Sequence, residues 1–512
     1  MSQTPPKAFA ADWVDHYART QASKIALRTM ETGETRTWKQ LDGQVARLAT
    51  VLADDFGLSA GARIVTLMNN DLRHFELQFA CARTGAILAP LNFRLALPEL
   101  ILLCSDLKPD LMIADDAWLD MAQQASRGAS VARILSLTQL EHLAECATPT
   151  AALSDIDGDA PWLILCTSGS TGKPKAAIIT LNGVIWQALN QVQFGAIGDG
   201  NAHIFNAMPL FHAGALNVFC NPILFFGGTV TLQTRFEPHT AVAFVGDPAN
   251  GVTHLSQPAV MYQMMADSPG FAAADFSTFR TMLFAGSQLP DRLRETYAAK
   301  GINFLIQYGG TETGPTITSL DSKRVDKTIA GSCGQKVQNI QLRLVDASGN
   351  DVQRGEPGEV WVKGPGVVQR YLDRDQVLDF VDGWFRTGDV ARLDDEGFLY
   401  IVDRIKEMYK SGGENVYPAE VERILMRHPA VAEVAVVGVA DERWGEVGLA
   451  VVVATQDHEV TLDSLRAACE GHLARYKHPL HLRVIAEMPR TGIGKIAKSE
   501  LRAMFVRDRA NV

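Results

Sequence analysis

The chain has no excess of positive charge: 48 lysines and arginines are outweighed by 58 aspartates and glutamates, a formal net charge of −10. Nucleic acid attracts the opposite sign, so the balance argues against it as a main partner. It has no paired cysteines either. The seven, Cys81, Cys104, Cys146, Cys166, Cys220, Cys333 and Cys469, are dispersed, with no CxxC pair. That excludes a disulfide scaffold and a zinc module. No apolar stretch runs unbroken by Gly, Pro or charge for the roughly 20 residues that a membrane-spanning helix needs. Met1-Ser2-Gln3-Thr4-Pro5-Pro6 shows no basic region followed by an apolar segment. The expectation is a reduced, cytoplasmic setting without integral membrane association.

What is present is enough apolar residue, 47% of 512 positions, to bury more than one large core, and the length predicts at least two domains. The acid is unevenly spread. From Asp403 onward there are 16 basic and 16 acidic residues, so the first 402 carry the whole excess, and Ala474 to Arg509 holds nine basic and three acidic. A solvated basic helix accounts for that last stretch.

Residues from about 20 to 400 alternate short apolar strands with helical patterns, as in Ile64 to Met68, a helix through Leu77 to Ala82, and Ala86 to Pro90, which predicts an α/β layered domain. Around Gly331 to Val402 the pattern changes to short strands between Gly-rich turns, as in a small β-barrel. After Asp403-Arg404 comes a smaller α+β unit. It is expected to have helices at Ala419 to Arg427 and Leu462 to Leu473, and strands at Val431 to Val439, Leu449 to Val453 and Leu482 to Ala486. The expected division is therefore 1–402, a junction at 403–404, and 405–512.

Thr167-Ser168-Gly169-Ser170-Thr171-Gly172-Lys173-Pro174-Lys175 carries the most chemistry. Hydroxyls and glycines let the backbone approach an anion closely, and two lysines add charge, which suits a polyphosphate. Apolar runs on either side make it a loop joining two strands. A Walker A loop needs four residues between its glycines and a helix opening on Lys-Ser/Thr; here two separate Gly169 from Gly172, and Pro174 follows Lys173. A P-loop kinase is excluded.

The segment resembles the signature loop of the acyl-adenylate-forming superfamily, which includes acyl-CoA synthetases, luciferases and the adenylation domains of peptide synthetases. Four further segments resemble that family in the same order. In Tyr308-Gly309-Gly310-Thr311-Glu312-Thr313-Gly314 the resemblance places Tyr308 against adenine, Thr311 on the α-phosphate and Glu312 on Mg²⁺, with Thr171 as a further metal contact. Gly286, after Met282 to Ala285, is similar to the family's glycine beside adenine. In Asp382 to Asp389 it gives Asp389 the ribose hydroxyls, and in Asp403 to Glu407 it makes Asp403 the pivot and puts Arg404 on the ribose. In Pro489 to Ile496 it makes Lys495 the adenylation lysine, whose charge offsets the repulsion between a carboxylate and the α-phosphate.

Lys410-Ser411-Gly412-Gly413 resembles the thioester-forming face, where Lys410, Gly412 and Gly413 would receive coenzyme A. His212, in Met208 to Gly214, is similar to a residue that gates the acyl pocket, and Trp186, Asn190, Asn217, Gly309, Gly310 and Thr313 are expected around the acyl group. Ala176, Leu181 and Gly310 depart from the family's usual Gly, His, and Met or Ser, and Gly309-Gly310 is expected to open space for a bulky or long acid.

The resemblance implies an ATP-dependent, AMP-forming acid:CoA ligase using ATP, Mg²⁺ and coenzyme A on a fatty, aryl or alicyclic acid, with a homodimer as the expected assembly. The alternative is an amino-acid or aryl-acid adenylation enzyme loading a carrier protein. That reading calls for an Asp near Phe211-His212 to pair with an α-amine, and none is there.

Overall fold

The computed structural model describes residues 9–10, 12–149, 156–167, 175–286, 289–320, 331–373, 379–412, 414–455, 459–490 and 496–510. Contacts divide the chain into two compact units, Met1–Gln341 with Val362–Phe385, and Leu342–Trp361 with Arg386–Val512.

Two sheets organise the first unit. One has six strands, in the order Lys175–Thr180, Pro161–Thr167, Ile87–Pro90, Arg63–Leu67, Leu111–Ala114 and Ile134–Ser136. Its strands are parallel except at the edge, where Lys175–Thr180 runs antiparallel to Pro161–Thr167 with Lys175 opposite Thr167. Strands buried on both faces read as continuous apolar runs, and Trp162-Leu163-Ile164-Leu165 is one. The other sheet has nine strands. Its parallel centre is Phe304–Gly310, Thr281–Ala285, His254–Ser256, His203–Asn206, Thr229–Leu232 and Ile25–Thr29, with antiparallel strands added at both edges. Parallel strands need helical crossovers, and the alternation legible in the sequence supplies them.

Several helices start where side chains satisfy their first N–H groups. Asp71 caps Leu72–Thr84, and Thr180 caps Leu181–Gly195 through Gly183 N–H at 3.0 Å. Under the nine-stranded sheet an aromatic cluster of Tyr262, Tyr297 and Phe304 fills the core, with ring centroids 4.9 to 5.4 Å apart. Each such pair adds about 0.5–1.5 kcal/mol to the apolar burial.

Gly358–Lys363, Trp384–Leu393 and Leu399–Arg404 belong to a five-stranded sheet built from the Gly-rich stretch. Beyond it, Val431–Asp441 and Gly445–Ala454 pair over their whole length. Alternation sends Val434, Val436, Ala450 and Val452 to one core and Ala435, Val437, Leu449 and Val451 to the other, so this sheet is covered on both faces. The helices Pro418–Leu425 and Leu462–Cys469 lie where the pattern predicts, Pro418 opening the first without loss because its missing N–H has no partner to serve.

Candidate active site

Thr167, the last residue of its strand, and Lys175, the first of the next, frame the signature loop; Ser168, Gly169, Ser170, Thr171, Gly172 and Lys173 lie outside the described residues. Burial pushes the thiol of the preceding Cys166 up to about 12, which removes it as a nucleophile. At the carboxyl end of Phe304–Gly310 the chain turns through Thr311 to Thr313 into Gly314–Leu320. Ligands of α/β sheets collect at such strand ends.

The two strand ends meet at Glu312. Its Oε1 accepts a hydrogen bond from Thr167 Oγ1 at 3.0 Å and another from Tyr371 OH at 3.0 Å. Val368 N–H donates to the Glu312 main-chain oxygen at 2.8 Å. Tyr371 is held in turn by its place beside the edge strand, bridged to Ala177, with Lys175 Nζ 5.0 Å from its ring centroid. Burial first, then the Glu312 carboxylate, push the Tyr371 hydroxyl well above its ordinary value, so it stays a donor. With both donors on Oε1, Oε2 is left without a hydrogen bond among the described residues. A half-buried carboxylate with one oxygen oriented and the other open suits Mg²⁺, a hard cation that takes oxygen ligands and shares them with substrate phosphates. Tyr371 carried no signal in the sequence beyond lying in the segment after the Gly-rich turns.

The Tyr308–Gly314 turn closes on itself. Gly310 N–H donates to Thr313 Oγ1 at 2.8 Å, and that hydroxyl donates to Gly314 O at 2.9 Å, so buried Thr313 is occupied in holding the turn that presents Thr311 and Glu312. Gly286 ends Thr281–Ala285 in the left-handed region, φ +87°, which favours glycine. Tyr308 is half-buried on its strand.

The expected acyl-pocket residues come from three elements: Gly309, Gly310 and Thr313 from this turn, Trp186 and Asn190 from helix Leu181–Gly195, and Asn217 from the helical segment after Ala213. Asn190 is buried and accepts from Asn339 N–H and Nδ2 at 3.2 and 3.0 Å. Asn217 accepts from Asn221 Nδ2 at 2.8 Å, within a chain of buried amides that continues to Gln78. His212 accepts Gly214 N–H on Nδ1 at 3.0 Å, capping the turn at Ala213. Trp186 is partly exposed and borders a groove with Lys336, Asn339 and Lys363.

In the second unit Asp389 and Arg404 stand opposite each other across paired strands, joined by an ion pair of 2.8 Å from Arg404 Nε. Asp389 is nearly buried while the Arg404 side chain is mostly in solvent. Asp403 is also buried. Its carboxylate accepts Arg404 N–H at 2.6 Å and Ala419 N–H at 2.8 Å, which makes it the acceptor for the first turn of helix Pro418–Leu425, sixteen residues away. Burial, outweighing those two hydrogen bonds, holds its carboxyl above the ordinary carboxylate range.

Lys410 is exposed on a hairpin of Tyr409–Ser411 and Glu414–Val416, its backbone N–H donating to Glu446 Oε2 at 3.0 Å. Gly412, φ +60°, donates to Trp444 O at 2.8 Å, and a Cβ there would stand 3.0 Å from the Trp444 ring. Gly413 and Lys495 lie outside the described residues. The hairpin is anchored by Tyr409, which fills the space left by Gly438 and Gly448, two glycines paired across the neighbouring strands. A Cβ on either would come within 2.4 to 2.5 Å of Tyr409.

Residues 14–372 match the family model described as AMP-binding enzyme, and residues 420–495 match that of the AMP-binding enzyme C-terminal domain. The chain is 37% identical to a feruloyl-CoA synthase of Amycolatopsis sp, over 95% of this chain and 97% of that protein. It is 35% identical to an indoleacetate–CoA ligase of Aromatoleum aromaticum, over 97% and 98%. Among solved structures, the o-succinylbenzoate CoA synthetase of Bacillus subtilis in complex with its acyl-adenylate intermediate superposes with a TM-score of 0.86 at 28% identity, covering 97% of this chain and 98% of that one. The same synthetase with ATP and magnesium ion gives 0.85 at 28%, covering 96% and 100%.

Proposed function

We infer the division of labour among these residues from one premise: the chain belongs to the AMP-binding enzyme family and is an ATP-dependent acyl-CoA synthetase using ATP, Mg²⁺ and coenzyme A. The reaction has two halves. In the first, a carboxylate oxygen of the acid attacks the α-phosphorus of ATP, the bond to the β-phosphate oxygen breaks, and pyrophosphate leaves with that electron pair. In the second, the thiol of coenzyme A attacks the acyl carbon, loses its proton, and AMP leaves.

Each half needs different groups. The loop from Thr167 to Lys175 holds the β- and γ-phosphates that depart, with its hydroxyls, N–H groups and lysines around a polyanion. Thr311 donates to the α-phosphate. Glu312 and Thr171 hold Mg²⁺, which supplies charge neutralisation for the phosphates when bound; Thr167 and Tyr371 keep the carboxylate aimed. Tyr308 and Gly286 flank adenine. Asp389 offers two acceptor oxygens and no donor to the ribose hydroxyls, and Arg404 joins it there. Lys495 bridges the incoming carboxylate and the α-phosphate, where like charges approach.

For the second half the segment after Asp403 turns as a body, withdraws Lys495 and presents Lys410, Gly412 and Gly413 to the pantetheine arm. Glycine at 412 leaves the ring of Trp444 uncovered beside that path. The acid is an aryl or fatty acid, and relatives named for ferulate and indoleacetate favour an aryl one. His212 borders its path. Cytoplasmic location and a homodimer complete the proposal.

The observation that carries this reading is the meeting of Thr167, Glu312 and Tyr371, which joins the signature loop to the metal carboxylate. Lys495→Ala tests the division of labour. Pyrophosphate release should fall by several hundredfold, while thioester formation from supplied acyl-AMP survives within a few-fold. Equal loss of both would overturn it.

A further inference from the structure

A groove of about 690 Å³ opens in the first unit between helix Leu181–Gly195 and segments 336–341 and 363–369. That volume falls in the range of small-ligand sites. Of the described residues given roles above, only Trp186 borders it. Trp186 and Phe380 supply aromatic surface, Lys336 and Lys363 supply charge, and Gln338 and Asn339 supply amides. Among the described residues no Asp or Glu lines it, in a chain whose net charge is −10. Neither lysine has an ion-pair partner among the described residues. Cations without carboxylates, next to aromatic faces, select planar anions.

One wall of the groove continues into the residues that hold Glu312. Lys363, Val367 and Gln369 line one side, and the same segment holds Glu312 through Val368 N–H at 2.8 Å and Tyr371 OH at 3.0 Å. On the other side Trp186 precedes Gln187, whose amide is 2% exposed and makes no hydrogen bond. It is wedged against Gly314, the last residue of the turn, and Gly366, so that a Cβ on either glycine would stand 1.9 or 2.3 Å from Gln187 Nε2. Packing this tight transmits displacement rather than absorbing it.

We propose that the groove is a second ligand site for a planar aromatic anion and that its occupancy shifts Glu312 through segment 363–371. Either an aryl carboxylate or an adenine nucleotide has that chemistry. The coupling rests on Glu312 holding the metal; the binding does not.

The test uses the full chain saturated with a non-hydrolysable ATP analogue and naphthalene-2-sulfonate, a planar anion with no carboxylate to activate. Calorimetry should find the probe bound by the native protein and at least tenfold weaker in Lys336→Glu/Lys363→Glu, which keeps its basal pyrophosphate release. Displacement by benzoate or by AMP then identifies which of the two chemistries the groove takes. With ATP as substrate, the probe should shift the half-saturating Mg²⁺ concentration severalfold in the native protein and leave the double variant unmoved. Equal probe affinity in both proteins would overturn the site, as would competition with the acid substrate that persists in the double variant. Binding lost in the variant without any probe-dependent Mg²⁺ shift in the native protein would overturn the coupling alone.

Discussion

Gly309 and Gly310 are neighbours with opposite tolerances, and the contrast tests whether the turn around Glu312 is held by backbone packing. A Cβ on Gly309 would stand 2.4 Å from the carbonyl oxygen of Pro315 and 2.9 Å from that of Gly314. Both obstacles are main chain in the facing strand, so neither can rotate away. A Cβ on Gly310 meets only Thr313 Oγ1, at 3.7 Å, an ordinary contact. Overpacking of this kind costs about 1–3 kcal/mol, and the reduced freedom of the unfolded chain returns about 0.4–1 kcal/mol. Gly309→Ala should therefore lose roughly 1–2 kcal/mol, while Gly310→Ala should be neutral or gain a few tenths. Because any accommodation moves the segment presenting Thr311 and Glu312, Gly309→Ala should also slow pyrophosphate release tenfold or more. Urea unfolding with parallel pyrophosphate assays decides the matter. Equal midpoints and equal rates for the two variants would refute the steric reasoning. The same geometry separates the two glycines as determinants of the acid: only position 310 has room for a larger side chain, so Gly310→Met should shift preference to smaller acids, with an unchanged substrate profile as the contrary result.

Tyr371→Phe removes one of the two donors on Glu312 Oε1, and loss of such an orienting partner lowers metal affinity about 10- to 100-fold; titration of Mg²⁺ against pyrophosphate release should show the shift, and an unmoved half-saturation point would count against Glu312 as the metal carboxylate. His254 is fully buried between Thr253 Oγ1 and Gly195 O, at 2.7 and 2.6 Å, and burial holds its imidazole down at about 4. Since the unfolded residue titrates near ~6.5, the unfolded state binds the extra proton as pH falls from there toward 4, so stability is lost over that window at up to about 1.4 kcal/mol per pH unit. His254→Gln should flatten that part of a urea-midpoint against pH curve, and an unchanged slope would show that other groups carry it.

The strands around the signature loop were legible because both are apolar runs bounded by turn residues, and a strand buried on two faces needs no finer pattern. The order of elements in the small α+β unit was equally legible, since its strands alternate or run apolar, but its lengths were not: Gly445–Ala454 extends past the expected Leu449 to Val453, and Leu462–Cys469 stops short of the expected Leu473. What escaped is long-range pairing. Nothing near Tyr371 says that its hydroxyl will meet a carboxylate 59 residues earlier, because that contact follows from how segment 368–372 lies along Ala176 to Ile178. Gly438 and Gly448 look like weak points in two strands until Tyr409 is seen between them. Gly309 and Gly310 are indistinguishable as letters, and only the facing backbone separates them.

Asp403 joins two of these themes. Its carboxylate is committed to Ala419 N–H, the start of the following helix, while its backbone lies opposite Val390 and that of Arg404 opposite Asp389. On the proposed reading of Asp403 as pivot, the bond to Ala419 travels with the helix, while the pairing of Asp389 with Arg404 spans the junction. That pair is cheap to open, because the Arg404 side chain is 65% exposed and an ion pair with one partner in solvent contributes at most about 1 kcal/mol. On the proposed reading the ribose hydroxyls reach the same Asp389 carboxylate that pairs with Arg404, so nucleotide binding and the setting of the pivot act on one group.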